Sequence, residues 1–388
     1  MQIERGVLLP VAAAADQALR HEQRSRHPAG HIRGPGAGPR DTPLLDAVTR
    51  ARAHHLARPH HVAAAWSALA LFCLPFWVDE QPTTFLATSS FRRRDLRLIG
   101  TASATVPPDP RAHGLLAPDP CFPGLLAEPP GRALGRAVAD VLAGRATWWT
   151  CTVPGLSPGV VRAVQLVDSV LGLLTDLPAR AAEPRHLGGL SGPAVRAALP
   201  DAATTVSWLL SGVVGGRLVG RLAGLADDGT DSPPETLLRL LARSVDHRYR
   251  TQIPVIADGV TVTTADGGWS ASPQVVLGGC RPDGVPAPGG GRTRGYDGPL
   301  PGHGWSSGRG GIGVDAAPPP FLLFYDGSHH LLRGQRDHDS AVTALLEDSG
   351  VGVLRVTAGM LRDPESLRGR IAERLVSRGW TLDRGRRR

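Results

Sequence analysis

In the stretch FLLFYDGSHHLLRGQRDHDS, residues 321–340, an apolar run ends at Asp326 and Gly327, and His329, His330, Asp337, His338 and Asp339 follow. Upstream, Asp266 ends the strand-like segment VTVTTAD, and Glu235 stands in SPPETLLRLL. Metal-assisted hydrolysis of a phosphodiester needs carboxylates converging at one edge of a sheet. Hard Mg²⁺ takes oxygen ligands, and its remaining positions must hold phosphate and water. If the strands ending in Asp266 and Asp326 are neighbours, their acids meet, with Glu235 reaching in from the preceding helix. Gln252, in RTQIPV, is placed to orient a water, and His330 to act as a base or phosphate contact. The expected metal ligands are Glu235, Asp266 and Asp326, and the expected catalytic set adds His330 and Gln252.

Each of these residues also has a plainer reading. Glu235 follows Ser232 by three positions, the spacing of a helix capping box. Asp326-Gly327 is also a strand-end turn. Asp337 and Asp339 precede a helix expected from about Ser340, where acids favour the N-terminus electrostatically. The cluster HHLARPHH, residues 54–61, has no carboxylate or Cys nearby and spans Pro59, so a solvated His-rich corner is expected rather than a closed zinc site. FRRRDLR (91–97) and DRGRRR (383–388) are either phosphate-contacting patches or solvated segments.

The elements that must position these residues are legible from periodicity. A helix is expected from Leu44 to about Leu56 and another around Trp66, ending before Pro75. TTFLATS and LRLIGTASATV have the β-branched content of strands, and WWTCTVP reads as a strand passing into the helix GVVRAVQLVDSVLGLL. The chain changes character at Asp227. Ser232 is then an N-cap, Pro233 the first helical position, and Leu237, Leu238, Leu241 and Val245 the buried face. RTQIPVIADGVTVTTADGGW gives two strands with a turn at Asp258-Gly259. Residues 267–320 are so rich in Gly and Pro that they read as an insertion without structure of its own between two strands of one sheet. FLLFYD is a strand of buried type, SAVTALLEDSG a helix stopped by Gly350, and VGVLRVT a strand. DPESLRGRIAERLVSRG is a helix capped by Asp363.

The fold class is therefore α/β: a C-terminal mixed sheet flanked by helices, preceded by an α+β region. The domains expected are a helical region 1–60 with a flexible loop 22–43, an α+β region 61–226, and a site-bearing domain 227–388 carrying the insertion 267–320.

Composition narrows the function classes. All 43 basic residues are Arg, and the net charge is +8. That balance favours an anionic partner such as DNA, although abundant Ala, Arg, Gly and Pro also mark a GC-rich coding genome. The four Cys form no CxxC pair, which fits a reduced compartment. MQIERGVLLP carries Glu4 and Arg5 ahead of its apolar residues and is a poor secretory signal. Two long apolar stretches are broken by Pro75 or by Arg217 and Arg221, so neither is expected to span a membrane. A cytoplasmic protein is expected.

The segments SPPETLLRLL, RTQIPV, FLLFYDGSHHLLRGQRDHDS and GVGVLRVTAGMLRDPESL resemble the C-terminal domain of an uncharacterised actinobacterial family. That family is similar to the very-short-patch-repair endonucleases, with the restriction-endonuclease, PD-(D/E)xK, core. The resemblance covers roughly residues 228–380 without the insertion, and it implies a DNA partner and Mg²⁺. It also implies that Glu235 is the helix acid, Asp266 the strand-end acid and His330 the motif His. Two departures stand out: Phe324 occupies the place of the family's acidic ligand, and the chain has no Lys. Either Asp326 takes over as principal ligand, or the domain keeps the fold without catalysis and binds DNA or a regulatory partner. HVAAAWSALALFCLPFW and GVVRAVQLVDSV resemble the N-terminal regions of the same proteins, which are loosely similar to abortive-infection antitoxin regulators.

Overall fold

The computed structural model describes residues 2–4, 7–8, 45–89, 91–95, 100–105, 114–180, 201–230, 232–277, 317–326 and 333–383. The loop 22–43 and His330 lie outside them. The α/β class holds: among the described residues, ten α-helices accompany a five-stranded mixed sheet and a four-stranded one. The chain divides into two compact units, Met1–Leu237 and Leu238–Arg388.

In the first unit, β1 (Gln2–Glu4) and β2 (Val7–Leu8) pair antiparallel. Helix α1 (Ala47–Ala57) is capped by Asp46, whose carboxylate accepts the Thr49 amide at 2.7 Å. β3 (Val62–Ala63), α2 (Ala65–Leu71), β4 (Thr83–Leu86), β5 (Phe91–Asp95) and β6 (Gly100–Thr105) follow. The four strands lie in the order β3-β4-β6-β5, with β4 and β6 parallel. Helices α3 (Pro130–Leu142), α4 (Pro158–Arg180), α5 (Ala202–Leu210) and α6 (Gly216–Leu225) complete the unit, and α7 (Pro233–Val245) begins in it. None of the described helices is long and apolar enough to cross a membrane.

Two expectations fail here. WWTCTVP is irregular rather than a strand, and Trp148 within it is buried in the core. The Trp148 ring stacks on Trp77 at 4.2 Å, its indole N–H donates to Gln165 Oε1 at 3.0 Å, and its carbonyl accepts from Arg162 at 2.7 Å. The histidine corner is solvated only in part: His60 is exposed, whereas His54 is not. His54 is buried, stacks on Phe85 at 3.8 Å and brings Nε2 to 3.0 Å from Nδ1 of His61. The buried face of α1 is wider than its apolar residues suggested. It includes Arg50, whose two terminal guanidinium nitrogens donate to the carbonyls of Val78, Asp79 and Gln81 and so offset most of the cost of its burial.

The second unit continues from α7 with β7 (Arg250–Ala257), β8 (Val260–Trp269), β9 (Val275–Leu277), β10 (Phe321–Asp326), α8 (Arg333–Asp348), β11 (Gly352–Thr357), α9 (Ala358–Leu361) and α10 (Pro364–Ser377). The strand order is β11-β10-β8-β7-β9, with β10–β11 and β7–β9 parallel and the other pairs antiparallel. The β7–β8 hairpin turns at Asp258 and Gly259, both with positive φ (51° and 76°), as a two-residue turn of the primed kind requires. Ile253, Val255, Ala265, Leu322, Val342, Leu345 and Leu346 form one core cluster. Each large aliphatic side chain buried there contributes roughly 1.5–3 kcal/mol.

The unstructured insertion was expected to begin at 267, but Gly267, Gly268 and Trp269 belong to β8, and Val275–Leu277 adds β9 at the sheet's far edge. The glycines are there because neighbours come too close for a side chain. A Cβ on Gly267 would lie 2.1 Å from Tyr249 Oη, and one on Gly268 would lie 2.3 Å from the Phe321 carbonyl oxygen. Helix α8 also begins earlier than expected, at Arg333, so Asp337 and Asp339 lie within it rather than ahead of it.

Candidate functional site at the end of the second sheet

β8 and β10 are neighbours, which is the condition on which the expected meeting of Asp266 and Asp326 rested. Their antiparallel ladder pairs Phe321 with Trp269, Leu322 with Gly268 and Leu323 with Gly267, and there it stops. Just beyond its end, the Asp266 carboxylate accepts the backbone N–H of Tyr325. A side chain thus takes over from the ladder and satisfies a donor that the diverging strands leave. Gln252 falls in the gap between the pairs Thr251↔Gly267 and Ile253↔Ala265, at the register position opposite Asp266. Its φ is +50°, a left-handed conformation rare for a non-glycine residue inside a strand. The β7–β8 pair is therefore irregular at the very position where sequence reasoning placed a water-orienting group beside a carboxylate.

Asp326 ends β10, and its partner is Arg355, on the parallel strand β11. Arg355 Nη1 donates to Asp326 Oδ1 at 2.6 Å, with the two side chains 29% and 28% exposed. The guanidinium is fixed on three further sides. Nε donates to Thr343 Oγ1 at 3.2 Å, Nη2 donates to the Asp339 carbonyl at 3.0 Å, and the Asp339 carboxylate lies 3.8 Å from Nη1. Its Cζ lies 5.8 Å from the centroid of the Phe324 ring, which is its neighbour in the β10–β11 register. Charge assistance and fixed geometry place such a half-buried pair above an open surface pair, on the order of 1–2 kcal/mol.

The expected residues are thus only partly brought together. Asp266, Gln252 and Asp326 stand on adjoining strands of one unit. Glu235 lies in the first unit, in the first turn of α7, where it accepts the Ser232 hydroxyl at 2.6 Å in the manner of the capping pair. Asp339 is not a helix-terminus acid, since α8 starts six residues before it; it is part of the surroundings of Arg355.

Arg355 itself was not anticipated. The signal was available, because a single Arg in the apolar strand GVLRVT needs an acceptor, and parallel pairing with FLLFYD brings it within reach of Asp326.

The fit to a divalent metal is poor. Asp326 is held by a guanidinium and Asp266 by a backbone amide, so both carboxylates are already engaged. Among the described residues, no group of three or more His, Cys, Asp or Glu side chains is arranged to hold a metal ion. Comparison of the chain with protein-family models, with curated proteins and with solved structures finds no match in any of the three.

Proposed function

We propose that the second unit is a nuclease-like domain that binds DNA without cutting it, and that the chain acts in the cytoplasm as a binding or regulatory protein of the antitoxin-like kind. The observation that carries this reading is the Arg355–Asp326 pair. The carboxylate that would serve as principal metal ligand is neutralised by a guanidinium held by Thr343 and Asp339, and Phe324 fills the position of a second acid. Supporting it are the +8 net charge carried wholly on Arg, which favours phosphate contacts, and the resemblance of residues 228–380 to very-short-patch-repair-like domains.

A second reading, Mg²⁺-dependent phosphodiester hydrolysis by the same domain, is favoured by one observation: Asp266 and Asp326 stand on adjacent strands with Gln252 opposite Asp266. Plasmid nicking in Mg²⁺ or Mn²⁺, run beside fluorescence anisotropy with labelled duplex DNA across a salt series, separates the two. Salt-sensitive binding with no metal-dependent nicking is expected. Nicking that is lost in Asp326→Ala would overturn the binding-only reading in favour of hydrolysis.

A further inference from the structure

The first unit carries a helical hairpin whose tip is basic and aromatic. A short connection joins α5 to α6, and the two helices pack on each other as an αα-hairpin. Asp201 starts α5 by accepting the Thr204 amide at 2.7 Å. Val206, Leu209 and Leu210 of α5, with Leu222 and Ala223 of α6, form its buried side. Helix α3 receives the hairpin at two glycines. A Cβ on Gly131 would lie 2.5 Å from the Leu209 carbonyl oxygen, and one on Gly135 would lie 2.2 Å from Val213 Cγ1. Close packing at the end of α5 and in the connection thus holds the tip in a fixed place.

That tip presents a different set of residues outward. Trp208 is 54% exposed in the last turn of α5, although the two residues after it are buried. Arg217 and Arg221 stand one turn apart on α6, and both are exposed. Beside them, Gly216 and Gly220 have open space where a Cβ would stand. Arg221 Nη2 reaches only the Gly155 carbonyl, at 3.4 Å. No Asp or Glu occurs between Asp201 and Asp227, so the acids sit at the base of the hairpin, where α5 begins and α6 has ended.

A positive, acid-free surface with an exposed indole is complementary to a polyanion that carries flat apolar groups. Residues at i and i+4 hold their Cβ atoms about 5–6 Å apart, from which two guanidinium groups can take neighbouring phosphates of one strand. The glycines let that strand come close to α6, and the indole offers a face on which an unpaired base stacks. A bilayer surface asks for a broad apolar face, whereas the exposed positions of α6 are glycine and arginine alone. A second copy of the same face would set like charges against each other.

We propose that the tip of the α5–α6 hairpin is a contact surface for single-stranded DNA, with Arg217 and Arg221 on successive phosphates and Trp208 stacked on a base. This inference rests on the DNA-binding reading above and adds to it a single-strand contact in the first unit.

The test titrates labelled oligothymidine, and a labelled duplex of the same length, into the full chain and its R217Q/R221Q, R217K/R221K and W208A variants across a salt series. Vesicles containing phosphatidylserine serve as a parallel ligand. Losing two phosphate contacts should make the slope of log K against log salt for oligothymidine shallower by about 1.4 in R217Q/R221Q. R217K/R221K keeps the charge and should keep the slope; a slope lost with lysine as well would refute the phosphate contact. W208A should bind oligothymidine at least about fivefold more weakly and the duplex unchanged, and equal weakening of both would overturn the stacking. If the full chain binds DNA and R217Q/R221Q binds oligothymidine as tightly as the parent, the hairpin contact is refuted and the DNA-binding reading stands. If the full chain binds neither DNA even at low salt, that reading fails and takes the hairpin contact with it. Loss of vesicle binding with unchanged oligothymidine binding would assign the tip to a membrane surface and overturn the proposal.

Discussion

Gly268→Ala should open the sheet that carries the candidate site. A Cβ at this position would lie 2.3 Å from the Phe321 carbonyl oxygen, 3.0 Å from Leu322 Cα and 3.1 Å from Leu322 Cδ2. The first two are backbone atoms of β10 and cannot turn aside, so β8 and β10 must separate where Leu322 pairs with Gly268. Overpacking of this kind costs roughly 1–3 kcal/mol. Losing one or two ladder hydrogen bonds adds about 1 kcal/mol each, for a total near 3–4 kcal/mol. Gly224, in α6, is the control: nothing lies within 4 Å of its Cβ position, and its φ is not left-handed. Gly224→Ala should stabilise its helix by up to about 1 kcal/mol. Native-state hydrogen exchange on peptides from β8 and β10 reads the effect locally. At about 1.4 kcal/mol per tenfold, the G268A amides should exchange roughly a hundred to a thousand times faster. Exchange within about fivefold of the parent protein would refute the close-approach argument, and so would equal damage from G224A.

The first unit should lose stability in mild acid. Burial lowers the pKa of His55 and His61 below the ordinary value of 6.5, with Arg58 and His60 adding to the effect at His61. The unfolded chain binds more protons there, so this contribution is complete above pH ~6.5 and is lost as pH falls toward the lowered folded values. Urea unfolding at pH 7.5 and 5.5 measures it, and an H55Q/H61Q variant should show a flatter pH dependence; an equally steep one would remove these two groups as the cause. Among the cysteines, burial pushes the Cys151 thiol up to about 12, whereas Cys121 is exposed. Iodoacetamide at pH 8 should alkylate Cys121 in the folded protein and reach Cys151 only after denaturation, and mass spectrometry showing comparable rates at both would contradict the packing around Cys151.

What the sequence revealed depended on whether a signal was local. Helix starts with side-chain caps were legible, because Pro364 after Asp363 is a feature of two adjacent residues. The Asp258-Gly259 turn was legible for the same reason. Gly267 and Gly268 misled, since composition cannot distinguish a glycine of a loop from one that lets a neighbouring strand approach. Trp148 misled in the opposite sense, having strand-like composition but packing as irregular chain against Trp77 and Gln165. His54 was misread because its burial depends on Phe85, thirty-one residues away and on another element. At the site, the sequence left open whether the strands of Asp266 and Asp326 are neighbours, because a long insertion separates them, and Arg355 became visible only once parallel pairing set Phe324 beside it.

That register explains why Phe324 matters more than an acid missing from a pattern. Position 324 lies beside Arg355 and two residues before Asp326 on the same strand. A carboxylate there would compete with Asp326 for one guanidinium, and one of the two acids would be left to find another cation. Phenylalanine instead packs on the apolar cluster with Leu322 and Val353 and leaves Asp326 and Asp339 to share Arg355. Arg355 is thereby held from several directions, by Asp326, by Thr343 and by the carbonyl and carboxylate of Asp339.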